Sequence, residues 1–429
     1  MAPIHLLAVV HGMWGNPIHM AELKRIMLET NDKPNAAGEE LRLLVAETNR
    51  DDSTYDGIDF GGERVVEEIM KEVSDLEDQG HTVVKFSITG YSLGGLISRY
   101  VIGALFKKDF FNTIAPINFN TIATPHLGLP IYPTFISRMF SRLGPIFLSR
   151  TGEQFYCVDD WMNTGMPLIQ IMADPERVFY RALASFKHKR IYANAVNDRT
   201  VPYITAAFET EDPFAEHMTN GISIQLEDGY SPIIKSYTLP DTPPVQPPKP
   251  KPLSLSWFKN LSRRTFLPPF LQFRFPLNIV FYLCLPIFIP VVLGLVVVRF
   301  STAARSSRSR IKLLAKDQES RIAHLIATFE REVENAVADI IDDPGKPGND
   351  DMEGVHGADH VDAPVPVLTP LQRSMAKSLN KIPGLEKKLA FLDLGFNSHA
   401  TIISRDIRRF PMHKLGEGVI RHWADSFEL

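Results

Sequence analysis

Short apolar runs and longer periodic stretches alternate along the first half of the chain. Leu6–Val10 is continuously apolar and stops at His11-Gly12, the pattern of a strand buried on both faces of a parallel sheet. Leu41–Val45, Val83–Ile88, Ile117–Ile122 and Ile191–Val196 repeat it. Between these runs, Val65, Val66, Ile69, Met70, Val73 and Leu76 recur at helical spacing over 62–76, and Leu96–Phe106 continues as a helix from a glycine-rich turn. This rhythm predicts an α/β fold over 1–238: a mostly parallel central sheet with helices on both faces. Within it, residues 127–188 carry an apolar stripe of Ile136, Met139, Phe140, Leu143, Ile146 and Phe147 interleaved with Arg138, Arg142 and Arg150. The stripe reads equally as a helix packed on the core and as a lid-like insertion that meets a lipid surface.

The pattern then breaks. Residues 239–253 are proline-rich and predict a stiff linker. Residues 254–300 hold an uncharged run, Phe275–Val298, with Arg263, Arg264 and Arg274 before it and Arg299, Arg305, Arg308 and Arg310 after it. As a helix the run measures about 36 Å, against a bilayer hydrocarbon core of about 30 Å, so it predicts a membrane-associated insert. With basic residues on both flanks, charge bias selects no orientation for a single crossing. An amphipathic helix is expected over 301–341 and a disordered acidic loop over 342–366. Residues 367–429 complete the first fold, with a strand at Leu389–Leu394 and a closing helix at Gly416–Phe427.

Composition narrows the function classes. The 429 residues are 44% hydrophobic and 22% charged with a net charge of −4, which excludes a wholly disordered chain, a collagen and a coiled-coil rod. No overall basic field draws the chain to nucleic acid. Cys157 and Cys284 are the two cysteines, too few for a disulfide scaffold or a cysteine-rich zinc module and in keeping with a reducing compartment. The short N-terminal apolar run lacks a basic leader, so no secretory signal is expected.

Gly90-Tyr91-Ser92-Leu93-Gly94-Gly95 has the form G-x-S-x-G between a strand and a helix. A serine on that turn projects its hydroxyl above the sheet edge, and the helix N-terminus behind it favours developing negative charge. His11-Gly12-Met13-Trp14-Gly15-Asn16 follows the first strand, so Gly12 or Met13 offers one backbone N–H for an oxyanion while Leu93 offers the other. A serine nucleophile needs a base oriented by an acid, in the chain order nucleophile, acid, histidine. Asp198 follows the Ile191–Val196 run, where the acid belongs. For the base, His399 follows the Leu389–Leu394 strand and is preferred; His217 is the alternative. His126 follows a strand and lies where it could line the site. No P-loop, dinucleotide fingerprint or metal-ligand spacing occurs, so neither cofactor nor metal is expected.

The segments HGMWGN, GYSLGGLISRY, NTIATPHLG, YANAVNDRTVPY and HKLGEGVIRHW resemble the fungal and plant serine-esterase family of lipase-like α/β-hydrolases, which includes a lipid-droplet phospholipase and monoacylglycerol lipases. The resemblance covers residues 5 to 210 and, more loosely, the last forty. It implies an α/β-hydrolase fold with Ser92 as nucleophile, Asp198 as acid and His399 as base, acting on an acyl lipid or phospholipid substrate at a membrane or lipid-droplet surface. The site would face the cytosol on a lipid droplet or the endoplasmic reticulum membrane. An acyltransferase or protein thioesterase would use the same residues, and a catalytically silent scaffold is the alternative outside the enzymes. If His399 is the base, one crossing by 275–298 would part it from Ser92. The segment would then enter and leave on one side, as a hairpin folded near Pro286 would.

Overall fold

The computed structural model describes residues 2–242, 244, 283–314, 367–394 and 397–429. Eight strands occur among them: β1 Pro3–Val10, β2 Glu40–Val45, β3 Thr82–Tyr91, β4 Ala115–Ile122, β5 His188–Asn194, β6 Ser223–Leu226, β7 Ile234–Thr238 and β8 Leu385–Ala390. Six form one sheet in the order β2-β1-β3-β4-β5-β8, every neighbouring pair parallel. The antiparallel β6–β7 pair stands apart and has no counterpart in the sequence expectation.

The two faces of the sheet are visible in β1. Leu6, Ala8 and Val10 pack with the helices Ile58–Asp78, Leu93–Lys107 and Val178–Ser185, while Leu7 and Val9 pack with Ala21–Thr30 and Glu417–Asp425. Burial on both sides is the reason for the continuous apolar run. From β1 the chain moves outward to β2 and then crosses back to β3 on the other flank of β1. The loops after β1 and β3 therefore diverge, opening a crevice at the carboxyl ends of these strands where α/β sheets place their ligands. His11–Asn16 and Gly90–Ser92 lie there.

Several boundaries differ from the expectation. The last strand is Leu385–Ala390 rather than 389–394. Its sequence, LEKKLA, pairs with β5 along its length and meets Ile233 on the other side at Ala390 alone, and an edge strand tolerates charged residues that hide it from a hydrophobicity reading. In the 127–188 insertion, Leu168–Ala173 and Val178–Ser185 are buried against the core. Only the helix Phe135–Phe147 turns its stripe outward, with Phe135, Phe140 and Ile146 more than half exposed.

The apolar insert is one continuous helix, Leu283–Leu314, long and apolar enough to cross a membrane. No bend occurs at Pro286, correcting the hairpin placed there. The helix also runs through the boundary expected at residue 300, so 301–314 continue it rather than start a separate amphipathic helix. Residues 275–282 of the uncharged run, most of the linker, 315–341 of the amphipathic stretch and the acidic loop 342–366 lie outside the described residues.

Candidate active site

Strand β3 ends in Gly90-Tyr91 and the helix Leu93–Lys107 begins immediately. Ser92 alone makes the turn, at φ 56° and ψ −125°, a conformation that costs a non-glycine residue about 1–3 kcal/mol and that the surroundings must enforce. They do so by close approach. A Cβ on Gly94 would stand 2.2 Å from the Val10 carbonyl oxygen, and one on Gly90 2.4 Å from that of Gly94. The Ser92 amide donates to the Ile122 carbonyl at 2.9 Å, tying the turn to β4.

Asp198 sits on the loop after β5, buried. Its Oδ1 accepts from the amides of Thr200 (3.1 Å) and Val201 (2.8 Å), and its Oδ2 accepts from Asn194 Nδ2 (2.8 Å) and from His399 Nδ1 (2.9 Å). A carboxylate only accepts, so the imidazole proton lies on Nδ1. Nε2 is then an acceptor, and Ser92 Oγ lies 3.0 Å from it. Ser92, His399 and Asp198 thus form one hydrogen-bonded relay across 307 residues of sequence.

The loop carrying His399 is stitched onto the loop carrying Asp198. Asn397 Oδ1 accepts from the Arg199 amide, Asn397 Nδ2 donates to Thr200 Oγ1, and Ser398 Oγ donates to the Val196 carbonyl. From below, the Tyr91 hydroxyl donates to the His399 carbonyl at 2.9 Å, and its ring lies 5.0 Å from the imidazole. Burial raises the Tyr91 pKa above the usual phenol range, keeping it a donor.

Residues 1–211 match the family model described as "Putative serine esterase (DUF676)". Over that segment the chain is similar to this serine-esterase family. Among relatives, "Putative lipase C4A8.10" of Schizosaccharomyces pombe is 28% identical over 245 residues, spanning 54% of this chain and 30% of that protein. "Putative lipase ROG1" of Saccharomyces cerevisiae is 30% identical over 206 residues, spanning 47% of this chain and 28% of that protein. The chain therefore covers under a third of the length of these relatives. Among solved structures, "Phospholipase PlaB from Legionella pneumophila in complex with thio-NAD" aligns at 15% identity and a TM-score of 0.28, over 46% of this chain and 39% of that one. A "putative cell surface hydrolase from Lactobacillus plantarum" aligns at 15% and 0.27, over 48% and 76%. Within the structure itself, the parallel sheet with helices on both faces carries Ser92 on a strand-to-helix turn, the arrangement of an α/β-hydrolase nucleophile elbow.

The family's esterase segment contains the loop after β1. The Gly12 carbonyl accepts from the Gly15 amide and from His11 Nδ1, both at 3.1 Å. In a trans peptide the following N–H points the opposite way, so the Met13 amide is turned out of that internal network. Gly12 itself abuts Ser92: a Cβ there would lie 2.7 Å from Ser92 Cβ. Leu93 is the first helical residue, and its N–H lies outside the helix ladder.

The other histidines are placed elsewhere. His217 Nδ1 donates to the Phe214 carbonyl, its Nε2 lies 3.7 Å from Asp393 Oδ1, and its ring packs edge-on against Phe391. It adjoins a cavity of about 150 Å³ behind Asp198, shared with Tyr132, Asn194 and Asp212, and is not bonded to Ser92. His126 is a core residue: its Nε2 meets Thr121 Oγ1 at 2.9 Å, and burial holds its pKa far below the ordinary value. Among the described residues no group of three or more His, Cys, Asp and Glu is arranged around a metal position. Asn194, Asn397 and Tyr91 escaped the sequence reading. Tyr91 stood inside the G-x-S-x-G motif, while the two asparagines flank Asp198 and His399 closely enough to have been candidates.

Proposed function

We propose that this chain is a serine hydrolase that cleaves carboxylic esters of acyl lipids. The Ser92–His399–Asp198 relay, with bonds of 3.0 and 2.9 Å, carries the reading. His399 Nε2 takes the proton as Ser92 Oγ attacks the ester carbonyl, and Asp198 holds the resulting imidazolium. The tetrahedral oxyanion is met by the amides of Leu93 and Met13, with Gly12 allowing the close approach. Collapse expels the alcohol, protonated by His399, and leaves an acyl-enzyme. Water activated by the same imidazole then releases the acid.

An acyl lipid, at a membrane or lipid-droplet surface, is supported by two exposed apolar features. One is the Leu283–Val298 part of the long helix, and the other is the outward stripe of Phe135–Phe147. The relay joins residues on both sides of that long helix in one fold, which favours attachment from a single side, with the site facing the cytosol of a lipid droplet or endoplasmic reticulum membrane. The test is labelling by a fluorophosphonate probe in membranes carrying the full chain. Wild type and His217→Ala are expected to label, and Ser92→Ala and His399→Ala to fail. Equal labelling of His399→Ala and loss in His217→Ala would overturn the assignment of the base.

A further inference from the structure

The long helix does not simply hang from the fold. Ala303, Ala304 and Ser307 of its second half are each no more than 2% exposed. Arg308 donates to the Ile146 carbonyl at 3.0 Å, and among the described residues the helix's two arginine–carboxylate pairs converge on one short segment, Asp51–Asp56. Arg299 grips Asp52 through both guanidinium nitrogens, at 2.6 and 3.1 Å. Arg310 does the same to Asp56, at 2.8 and 3.1 Å, and also donates to the Asp52 carbonyl at 2.7 Å. The Asp56 side chain is wholly buried and shared with Arg64.

That same segment holds the loop after β1. The Asp51 amide donates to the Gly15 carbonyl at 3.0 Å, the Trp14 amide donates to Thr54 Oγ1 at 3.2 Å, and the Trp14 indole donates to the Tyr55 hydroxyl at 2.9 Å. The helix also touches the loop directly, with the Phe300 ring 6.0 Å from that of Trp14. Trp14 stands at φ 52°, a left-handed conformation that this residue holds only because its neighbours fix it. Met13, the oxyanion donor in the reading above, is the adjacent residue.

We propose that Arg299, Phe300 and Arg310 are positioning residues: the docked end of the apolar helix, through Asp52, Asp56 and Trp14, sets the loop that presents the Met13 amide. The proposal rests on Ser92 being the nucleophile of an ester hydrolase. Seating Leu283–Val298 in a lipid surface and shaping the oxyanion site are then linked through one rigid element. A helix pulled out of place would leave the Ser92–His399–Asp198 relay intact but misalign the donor opposite it, and a donor displaced by about 1 Å costs on the order of 100-fold in rate.

The experiment compares full-length variants in detergent micelles, using a soluble short-chain p-nitrophenyl ester so that lipid binding does not enter. In the double variant Phe300→Ala with Arg310→Ala, kcat is expected to fall about 10- to 100-fold. KM is expected to stay within about threefold, and the acidic limb of the pH–rate profile, which reports the imidazole, not to move. Arg310→Lys should recover part of the loss. As a fold-independent arm, Arg299→Asp and Asp52→Arg are each expected to lower kcat and their combination to restore it. A double variant within twofold of wild type, a loss confined to KM, or an exchange that fails to restore activity would each overturn the proposal. A wild type with no Ser92-dependent hydrolysis would instead remove the esterase reading on which the proposal stands.

Discussion

Replacing Asp198 by asparagine separates catalysis from stability more cleanly than any other change at the site. The carboxylate accepts four hydrogen bonds, two on each oxygen. An amide oxygen in place of Oδ1 keeps the Thr200 and Val201 amides satisfied, and the new NH₂ then faces Asn194 and His399. Asn194 can accommodate it, because its own buried Oδ1 has no partner among the described residues and a flip of its amide presents that oxygen. The cost to folding is therefore about 1 kcal/mol, one hydrogen bond's net worth. His399 has no such freedom. Facing an NH₂, Nδ1 must accept, which moves the proton to Nε2 and aims a donor at Ser92. The base is lost, as is the charge that would stabilise the imidazolium. A wrong tautomer at this position costs about 10⁴-fold in kcat, or about 5.4 kcal/mol of transition-state stabilisation. Steady-state hydrolysis of a soluble ester and thermal unfolding of the same preparation check both halves. Asp198→Asn that stays folded and loses less than tenfold in kcat would refute Asp198 as the group that orients His399.

Two further changes probe the frame around the relay. Gly94→Ala drives a methyl to 2.2 Å from the Val10 carbonyl, a backbone clash that no rotamer relieves. It is expected to cost about 3 kcal/mol and to abolish probe labelling, read by urea unfolding and labelling together. Asp212 lines the cavity behind Asp198, where burial raises its pKa from 3.8 to about 6. The folded state then holds a proton that the unfolded chain has released, so stability falls as pH rises from about 4 to about 6 and stays lower above that. Asp212→Asn, which retains the acceptor for the Phe214 amide, should stabilise by about 1–2 kcal/mol above pH 6.5, allowing for its partial exposure, and by nothing below pH 4. Unfolding midpoints across that range decide it.

What was legible in the sequence follows from what each residue does. β1 announces itself because burial on two faces leaves His5 as its one polar position, and β3, β4 and β5 show through the apolar runs that remain around buried polar residues such as Ser87, Asn118 and Lys189. β8 does not, because it lies at the edge of the sheet and Glu386, Lys387 and Lys388 stand in it. The serine turn is visible because its sterics demand glycine at fixed offsets. Asp198 and His399 could be found by following the chain order of strands and loops. Asn397 and Tyr91 act by bonding across the site, and pairing between residues 198 and 308 positions apart leaves no local period, whereas Asn194 stands only four residues before Asp198. The prolines misled for a related reason. Pro286 reads as a bend although the helix runs through it, and the arginines after the run read as a charged flank until Asp52 and Asp56 appear opposite them.

The order of these groups along the chain constrains how the protein meets a membrane. Ser92 and Asp198 precede the apolar helix and His399 follows it, yet they stand within hydrogen-bonding distance. The helix end at Arg299–Arg310 is bound to the same fold. Among the described residues Leu283–Val298 projects from it, about 24 Å of exposed apolar helix at about 1.5 Å per residue. In the proposed attachment Arg299, pinned to Asp52 at the point where the exposed apolar surface ends, would mark the level of the head groups. A helix docked this way enters lipid from the side that holds the fold, and the chain must return to that side to supply His399. Protease protection on sealed membranes should therefore leave sites near residues 200 and 400 equally accessible from one face. Protection of one and cleavage of the other would mean that Ser92 and His399 never meet in the membrane-bound protein.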